Sequence, residues 1–189
     1  MNIILASGSP RRRELLEMLG VKDFAVIPAK GEELPHPELS PAELVRELSR
    51  AKAAEVAAAH PDAIVIGADT VVAVDDEVLG KPVDEEDAVR MLQSLSGRSH
   101  HVYTGVTVIC GERVESVAEG TEVRFRAMTE REIAAYVATG EPMDKAGAYG
   151  IQGLASLFAE GIDGDFFNVM GLPVCRLGQM LKSLGVELL

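Results

Sequence analysis

Residues 3–16 read IILASGSPRRRELL, and the rest of the chain is best understood outward from this segment. Apolar residues give way to small ones and then to a proline and three arginines, a pattern that predicts a short strand running into a helix. Ser9 is suited to the N-cap and Pro10 to the first helical position. Leu15 and Leu16 then supply the inward face of the helix.

Arg11, Arg12 and Arg13 lie in the first turn of this predicted helix. A helix N-terminus presents unpaired N–H groups and a positive dipole end, so added arginines favour binding of an anion, most simply a phosphate. Positive charge there also opposes the dipole and needs a negatively charged partner. From this segment alone two interpretations stay open, a solvated basic turn and an anion site.

The length of 189 residues fits one domain, with room for two lobes. No run of eighteen apolar residues occurs, and the N-terminus lacks the basic flank and apolar run of a secretory signal, so we expect a cytoplasmic protein without a membrane partner. Cys110 and Cys175 show no C-x-x-C spacing, and we expect both as buried thiols in a reducing compartment.

The formal net charge of −12 argues against broad binding of nucleic acid, because that affinity comes from clustered Lys and Arg. A small polyanion is a different ligand. Local cations beside Gly-rich turns can bind one nucleotide even in an acidic protein. We therefore expect no nucleic-acid partner but keep a nucleotide as a candidate ligand.

Strands and helices are predicted along the whole chain from periodicity, capping boxes and turn residues. The predicted strands cover residues 24–27, 64–74, 100–110 and 113–126. The predicted helices begin near residues 40, 84, 129 and 174 and end near 59, 95, 140 and 184.

Asp69 is the charge in the middle of the most apolar stretch, residues 64–74. Burying an unpaired carboxylate costs several kcal/mol, of the order of 3–5 when a buried partner is missing, so Asp69 needs a hydrogen bond, a cation or a metal. A structural role, capping a turn after Gly67 and Ala68, is the alternative. We take Asp69 as the leading catalytic candidate.

Three further polar residues stand in suggestive places, each with an ordinary alternative. Lys52 lies in a predicted helix, where an exposed lysine is common. Lys81 follows Gly80 on the returning arm of a predicted hairpin, so it can lie at the same end of the sheet as Asp69. Gln152 lies in the Gly-rich segment 145–153, where its amide either reads a base edge or faces water.

His100 and His101 suggest a metal site only at first sight. Adjacent residues on a strand point to opposite faces, and no Cys or His stands at ligand spacing. We therefore do not expect a zinc site.

Six segments, taken together and in order, resemble the Maf family of nucleoside triphosphate pyrophosphatases. They are residues 7–16, 67–72, 79–82, 95–98, 104–106 and 144–153. The form KAGAYGIQG at residues 145–153 is similar to the branch that acts on dTTP and UTP. Each motif alone is weak, but the series covers nearly the whole chain.

The resemblance implies a mixed α/β fold with an elongated sheet and flanking helices, in two lobes around a cleft, similar to the inosine triphosphate pyrophosphatases. It implies one Maf-like domain over residues 1–189, a homodimer, and hydrolysis of a nucleoside triphosphate to the monophosphate and pyrophosphate. A divalent cation, Mg²⁺ or Mn²⁺, is implied as cofactor, which suits a chain without a Cys/His cluster.

Site residues carry over where this sequence matches the family motifs. Asp69 matches the proposed proton acceptor. The positions tied to substrate choice are Arg12, Thr70 and Gln152, with Arg11 as a neighbouring support that we include among the substrate-binding residues. The further cleft residues are Ser7, Glu33, Lys52 and Lys81.

The resemblance leaves the division of work among the acids open. Asp69 and Glu33 are expected to hold the metal and to activate the water, in either order. Many members have Asp-Glu where this chain has Glu32 and Glu33, so either glutamate can occupy the working position. Arg12, Lys52 and Lys81 are expected to offset the charge of the triphosphate.

Two alternative functions remain at this point. The same chemistry can act on modified or purine nucleotides in a house-cleaning role. The chain can also be a nucleotide-binding regulator of septum formation with little turnover.

Overall fold

The computed structural model describes the chain except for Met1, Lys22, residues 32–35, Pro37 and Asp76. In this described part the strands are β1 (Ile3–Leu5), β2 (Phe24–Val26), β3 (Ile64–Val74), β4 (Glu77–Leu79), β5 (Ser99–Cys110), β6 (Arg113–Phe125) and β7 (Ala159–Asp163). The helices are α1 (Pro10–Met18), α2 (Pro41–Ala59), α3 (Glu85–Leu95), α4 (Glu130–Val137), α5 (Phe166–Met170) and α6 (Val174–Ser183). The predicted strands and long helices are confirmed to within three residues at their ends.

The sheet is mixed and has the strand order β2-β1-β3-β5-β6-β7, with β4 paired to β3. β1 runs parallel to β2 and β3, which places Ile4 beside Ala25 and Val65. β4 is antiparallel to β3, and β7 is antiparallel to β6. The predicted class, a mixed α/β sheet with flanking helices, is confirmed.

The chain divides into two compact units. Unit 1 comprises Met1–Asp69, Thr104–Glu119 and Gly171–Leu189, and unit 2 comprises Thr70–Tyr103 and Gly120–Met170. Each unit has its own apolar cluster, and in unit 1 the cluster includes Ile4, Val65 and Ile109.

The helix starts follow the predicted caps. The Ser40 hydroxyl accepts the Glu43 N–H at 3.4 Å, while the Glu43 carboxylate accepts the Ser40 N–H at 3.0 Å. Thr129 and Glu132 form the same reciprocal pair at the start of α4. These boxes satisfy N–H groups that a helix leaves unpaired, which is why they mark the starts reliably.

Residues 141–157 differ from the prediction. They contain three short 3₁₀ segments, Glu141–Asp144, Ala146–Ala148 and Leu154–Leu157. Segments of three or four residues are too short to leave a periodic apolar pattern. The sequence therefore showed a Gly-rich segment here but no helical turns.

The cysteine prediction needs a correction. Cys110 is half-buried and Cys175 is exposed, and both are free thiols. Cys175 lies in the first turn of α6 and follows the buried Val174; successive helix positions are rotated by about 100°, so the residue after a buried one can lie at the exposed surface. Separately, none of the described helices is both long and apolar enough to cross a membrane.

Candidate functional site

Asp69 and Lys52 form an ion pair in unit 1. Asp69 lies in β3 between the buried Ala68 and the half-buried Thr70, and its carboxylate accepts a hydrogen bond from the Lys52 ammonium on α2. The side chains are 12% and 22% exposed, respectively. The carboxylate is therefore partnered as the sequence required, yet the pair keeps access to solvent, which a purely structural buried pair does not need.

Gly67 explains how α2 brings Lys52 to Asp69. A Cβ at Gly67 would lie 2.4 Å from the Ser49 carbonyl oxygen and 2.8 Å from the Ala53 nitrogen, so the helix backbone rests directly on the strand. Residues two apart on a strand share a face, so Asp69 points to the same side as Gly67. Lys52, just before Ala53, is then within reach of the carboxylate.

Gly105 on β5 supports the same helix in unit 1. A Cβ there would lie 2.0 Å from the Val45 carbonyl oxygen. Buried hydroxyls add to this contact, since Ser49 Oγ lies 2.8 Å from Thr107 Oγ1. Close packing at Gly67 and Gly105 therefore fixes the distance between α2 and the strands β3 and β5.

Arg12 and Ser7 are also brought together in unit 1. Arg12 donates from Nη1 to Ser7 Oγ at 3.0 Å and from Nε to the Gly171 carbonyl at 2.8 Å. Ser7 is 8% exposed and also accepts the Ser9 N–H at 3.3 Å. The guanidinium is therefore oriented by two internal acceptors beside the start of α1.

The three arginines of α1 differ in surroundings. Arg13 pairs with Glu17 at 2.9 Å on an exposed face, whereas Arg11 and Arg12 are half-buried. No acidic residue lies in the first turn of α1, and the Ser9 side chain does not cap it. The predicted cap position is confirmed, but the Ser9 side chain makes no capping hydrogen bond; the Ser9 backbone N–H donates to the Ser7 hydroxyl.

Lys81 and the Gly-rich segment meet in unit 2. Lys81 is exposed just after β4, and the preceding Gly80 accepts the Gly147 N–H at 3.0 Å. Gly147 has φ +66°, and a Cβ there would lie 2.6 Å from a Val72 methyl group, so only glycine fits. This backbone contact joins the Lys81 turn to the segment that carries Gln152.

Gln152 is exposed at the third position of a tight turn. The turn is closed by a hydrogen bond from the Gly153 N–H to the Gly150 carbonyl at 3.0 Å. An exposed amide on a closed turn offers both donors and an acceptor to a ligand. Thr70, the first residue of unit 2, is half-buried in β3.

The chain matches the model of the Maf-like protein family over residues 2–184. It belongs to the Maf family. A protein of Agathobacter rectalis named dTTP/UTP pyrophosphatase is 51% identical, over 98% of each chain. A protein of Bacillus cereus strain AH820 with the same name is 50% identical, over 98% of this chain and 96% of the relative. The predicted family is confirmed.

Solved structures of Ham1 proteins share the fold of this Maf chain. The Ham1 protein of Coxiella burnetii superposes with a TM-score of 0.55 at 13% identity, over 97% of this chain and 99% of the other. The Staphylococcus aureus Ham1 protein gives a TM-score of 0.52 at 13% identity, over 97% and 100%. At such low identity the likeness supports the fold class alone.

Glu32 and Glu33 lie outside the described residues of the Maf chain. The segment just before them is anchored, since the Glu55 carboxylate on α2 accepts the N–H groups of Lys30 at 2.7 Å and Gly31 at 2.9 Å. These hydrogen bonds, first that from Lys30, lower the pKa of Glu55. Glu55 is one helical turn after Lys52, so α2 carries both residues on neighbouring turns.

Two residues near Gln152 were missed by the sequence analysis. The Tyr136 hydroxyl accepts the Gly150 N–H at 3.3 Å, and the Glu141 carboxylate accepts the Leu154 N–H at 3.1 and 3.2 Å. The available signal in the sequence was Gly153, because a glycine can mark a place where another group approaches the backbone closely. The neighbour's identity is not encoded locally, because Glu141 is twelve residues away.

A second buried pair anchors the Gly-rich segment of the Maf chain in unit 2. His100 Nε2 lies 2.7 Å from the Tyr149 hydroxyl, and His100 is 1% exposed. Burial, and then the nearby His101, lowers the pKa of His100 to about 4, so the imidazole is neutral at pH 7. Burial likewise raises the pKa of Tyr149. This pair is a neutral structural anchor.

Proposed function

We propose that this Maf protein hydrolyses nucleoside triphosphates, preferably dTTP and UTP, to the nucleoside monophosphate and pyrophosphate. The observation that carries the proposal is the Asp69 carboxylate, set into a buried strand, partnered by Lys52 and still accessible to solvent. The substrate preference is supported by the two relatives at 51% and 50% identity, whose names specify dTTP and UTP.

The proposed reaction is attack of water on the α-phosphorus of the triphosphate. About four negative charges must be offset in the substrate, and positioned cations are the groups that do so most effectively. We assign this work to Arg12, Lys52 and Lys81. Pyrophosphate leaves as an anion and needs charge stabilisation more than a proton, which is the role proposed for the lysines.

Asp69 and Glu33 are the proposed acids of the site. One orients or deprotonates the attacking water and the other helps to hold the metal. Asp69 suits either role, because its carboxylate is ion-paired with Lys52 rather than sealed in the core.

The residues fit a hard cation such as Mg²⁺ or Mn²⁺. Mg²⁺ is typically bound through one or two carboxylates together with substrate phosphates, so a cage of protein ligands is not required. Asp69 supplies one hard oxygen donor, and Glu33 is the proposed second. When bound, the ion would supply charge stabilisation to the phosphate oxygens and lower the pKa of a bound water.

Substrate choice is assigned to Arg12, Thr70 and Gln152, with Ser7 and Arg11 as supporting residues. The exposed amide of Gln152 suits a pyrimidine edge, which presents one acceptor and one donor next to each other. Arg12 is already oriented by Ser7 and the Gly171 carbonyl, which favours defined contacts with an anionic group.

The chain acts as a homodimer, as the family resemblance implies. Its compartment is the cytoplasm, where free thiols such as the exposed Cys175 stay reduced. Residues 1–189 act as one domain with two lobes.

A panel of nucleotides tests the proposed function. Pyrophosphate release is measured with Mg²⁺ on dTTP, UTP, 7-methyl-GTP and ITP, and we expect the two pyrimidines to have the highest kcat/KM. Equal or higher values for ITP or 7-methyl-GTP would refute the substrate assignment. Nucleotide binding without pyrophosphate release would refute the enzyme and favour a regulator.

A further inference from the structure

The turn that carries Gln152 is held on both sides. Its first residue, Gly150, donates its N–H to the Tyr136 hydroxyl at 3.3 Å. The residue after the turn, Leu154, donates its N–H to both oxygens of Glu141 at 3.1 and 3.2 Å. The two backbone groups on either side of Gln152 therefore depend on two side chains outside the segment.

Tyr136 is the inner member of this pair. It is 3% exposed on α4, and its ring packs edge to face on Phe158 at a centroid distance of 5.5 Å. Its hydroxyl donates to Glu141 Oε1 at 2.9 Å while it accepts from Gly150. Burial is the first cause that raises the pKa of Tyr136, so the phenol stays protonated and remains a donor at neutral pH.

Glu141 is the outer member. A Cβ at Gly153 would lie 2.3 Å from Glu141 Oε1 and 2.6 Å from its Cδ, so the carboxylate lies directly against the turn. The backbone of Glu141 is held in turn, since its N–H donates to Thr139 Oγ1 at 3.2 Å and its carbonyl accepts from Lys145 Nζ at 2.6 Å. The carboxylate is thus a fixed acceptor.

We propose that Tyr136 and Glu141 are positioning residues for Gln152 and thereby help to set the preference for pyrimidine nucleotides. The inference rests on the proposed function, since it takes Gln152 as the residue that contacts the base. An exposed amide selects a ligand only if its backbone is held still, because freezing a mobile turn on binding costs conformational entropy. The shared phenol–carboxylate hydrogen bond couples the two ends of the turn, so both ends are fixed together.

Amide hydrogen exchange tests the structural half of the proposal without any substrate. Tyr136→Phe keeps the ring on Phe158 and removes only the hydroxyl, and Glu141→Ala removes both acceptor oxygens. We expect Gly150 to lose protection in the first variant and Leu154 in the second. Unchanged protection of both amides would overturn the proposal whatever the enzyme's substrate is.

Steady-state kinetics test the functional half. We expect Tyr136→Phe and Glu141→Ala to raise KM for dTTP and UTP by about three- to tenfold, the effect of one lost hydrogen bond, with kcat changed far less. The ratio of kcat/KM for UTP over ITP should fall by a similar factor. Glu141→Gln keeps one acceptor oxygen for Leu154 and should lie between Glu141→Ala and the wild type.

A double variant separates positioning from general damage. If Tyr136 acts through Gln152, then Tyr136→Phe should change selectivity little in a Gln152→Ala background. The matched control is Tyr103→Phe, a tyrosine of the same unit whose ring stacks on His101. It should leave KM, selectivity and the Gly150 amide unchanged.

The outcomes distinguish this inference from the proposed function. Additive effects of Tyr136→Phe and Gln152→Ala on selectivity would overturn the positioning role while leaving Gln152 as the base contact. If Gln152→Ala itself left selectivity unchanged, the base contact in the proposed function would be wrong, and the selectivity role of Tyr136 and Glu141 would fall with it.

Discussion

Two polar pairs, Lys52–Asp69 in unit 1 and His100–Tyr149 in unit 2, differ in charge and in access to solvent. Lys52 and Asp69 in unit 1 are a charged pair whose side chains are 22% and 12% exposed. His100 and Tyr149 in unit 2 are a neutral pair, 1% and 5% exposed as residues. Burial keeps the second pair neutral by lowering the pKa of His100 and raising that of Tyr149.

The difference indicates different work for the two pairs. A charged pair that is only partly desolvated can exchange its partner for a substrate phosphate or a metal at moderate cost. A neutral pair that is sealed from solvent cannot make such an exchange, because burial disfavours the charged form of the imidazole. Lys52 and Asp69 are therefore suited to chemistry, and His100 and Tyr149 to anchoring the segment that carries Gln152.

The largest expected effect is on the charged pair. Asp69→Asn keeps the shape of the side chain but removes its charge, and we expect kcat for UTP to fall by about a hundred- to ten-thousandfold, the range for a lost general base. Pyrophosphate release measures it. The control is Asp62→Asn, an exposed acid of the same unit, which should keep full activity. Hydrolysis that survives Asp69→Asn nearly unchanged would remove the assignment of chemistry to this pair.

The next effect tests the packing that creates the charged pair. Gly67→Ala drives a methyl group to 2.4 Å from the Ser49 carbonyl oxygen, and we expect a loss of about 3 kcal/mol in the free energy of unfolding. Urea denaturation measures it. Gly178→Ala is the matched control in unit 1, since its Cβ meets only Leu188 Cδ1 at 3.9 Å. In the middle of α6 it should stabilise by up to about 1 kcal/mol.

The neutral pair predicts a pH dependence of stability. The pKa of His100 is lowered from 6.5 to about 4 in the folded protein, so on acidification the unfolded state takes up the proton first. The contribution of His100 to the free energy of unfolding is therefore fully present above about pH 6.5. It is lost towards pH 4, by a total of about 3 kcal/mol.

Urea denaturation between pH 7 and pH 4 measures this loss. His100→Gln should reduce the slope of the free energy of unfolding against pH, by the equivalent of up to one proton taken up on unfolding. The neighbouring exposed His101 is the smaller cause of the lowered His100 pKa, after burial, so His101→Gln should change the slope less than His100→Gln does. An unaltered slope in His100→Gln would mean that this pair is not sealed from solvent.

The smallest expected effect concerns the contribution of the Lys52–Asp69 ion pair to stability. Lys52→Met leaves the Asp69 carboxylate without its ammonium, and we expect a loss of about 2 kcal/mol in the free energy of unfolding, below the full penalty because the pair is partly exposed. Adding Asp69→Asn should recover part of this loss. Lys182→Met, at an exposed position of α6, should change stability little. An unchanged free energy of unfolding in Lys52→Met would show that the pair contributes nothing to stability.

Much of the fold was predictable because its signals are local. The apolar run around Asp69, the capping boxes at Ser40 and Thr129, and Pro10 at the start of α1 each encode their own element within a few residues. The candidate residues were likewise predictable by type, since a charge inside a strand and a glutamine among glycines stand out in the sequence itself.

Partners across the fold were not predictable. Lys52 looked like an ordinary helix lysine, and its contact with Asp69 depends on Gly67 letting α2 rest on β3. Tyr136 lies in a predicted helix where no local pattern singles it out, yet its hydroxyl accepts the Gly150 N–H. These contacts join residues 14 or 17 positions apart, and no local pattern specifies them.

The segment of residues 3–16 shows where sequence ends and tertiary structure begins. The sequence by itself determined that a strand breaks at small residues and enters a basic helix, because propensity and capping act over a few residues. Only the tertiary structure decided which arginine does what. Arg12 turns to Ser7 and to the carbonyl of Gly171, far along the chain, whereas Arg13 pairs with Glu17 on its own helix. That difference is set by which acceptors the fold brings within hydrogen-bond distance.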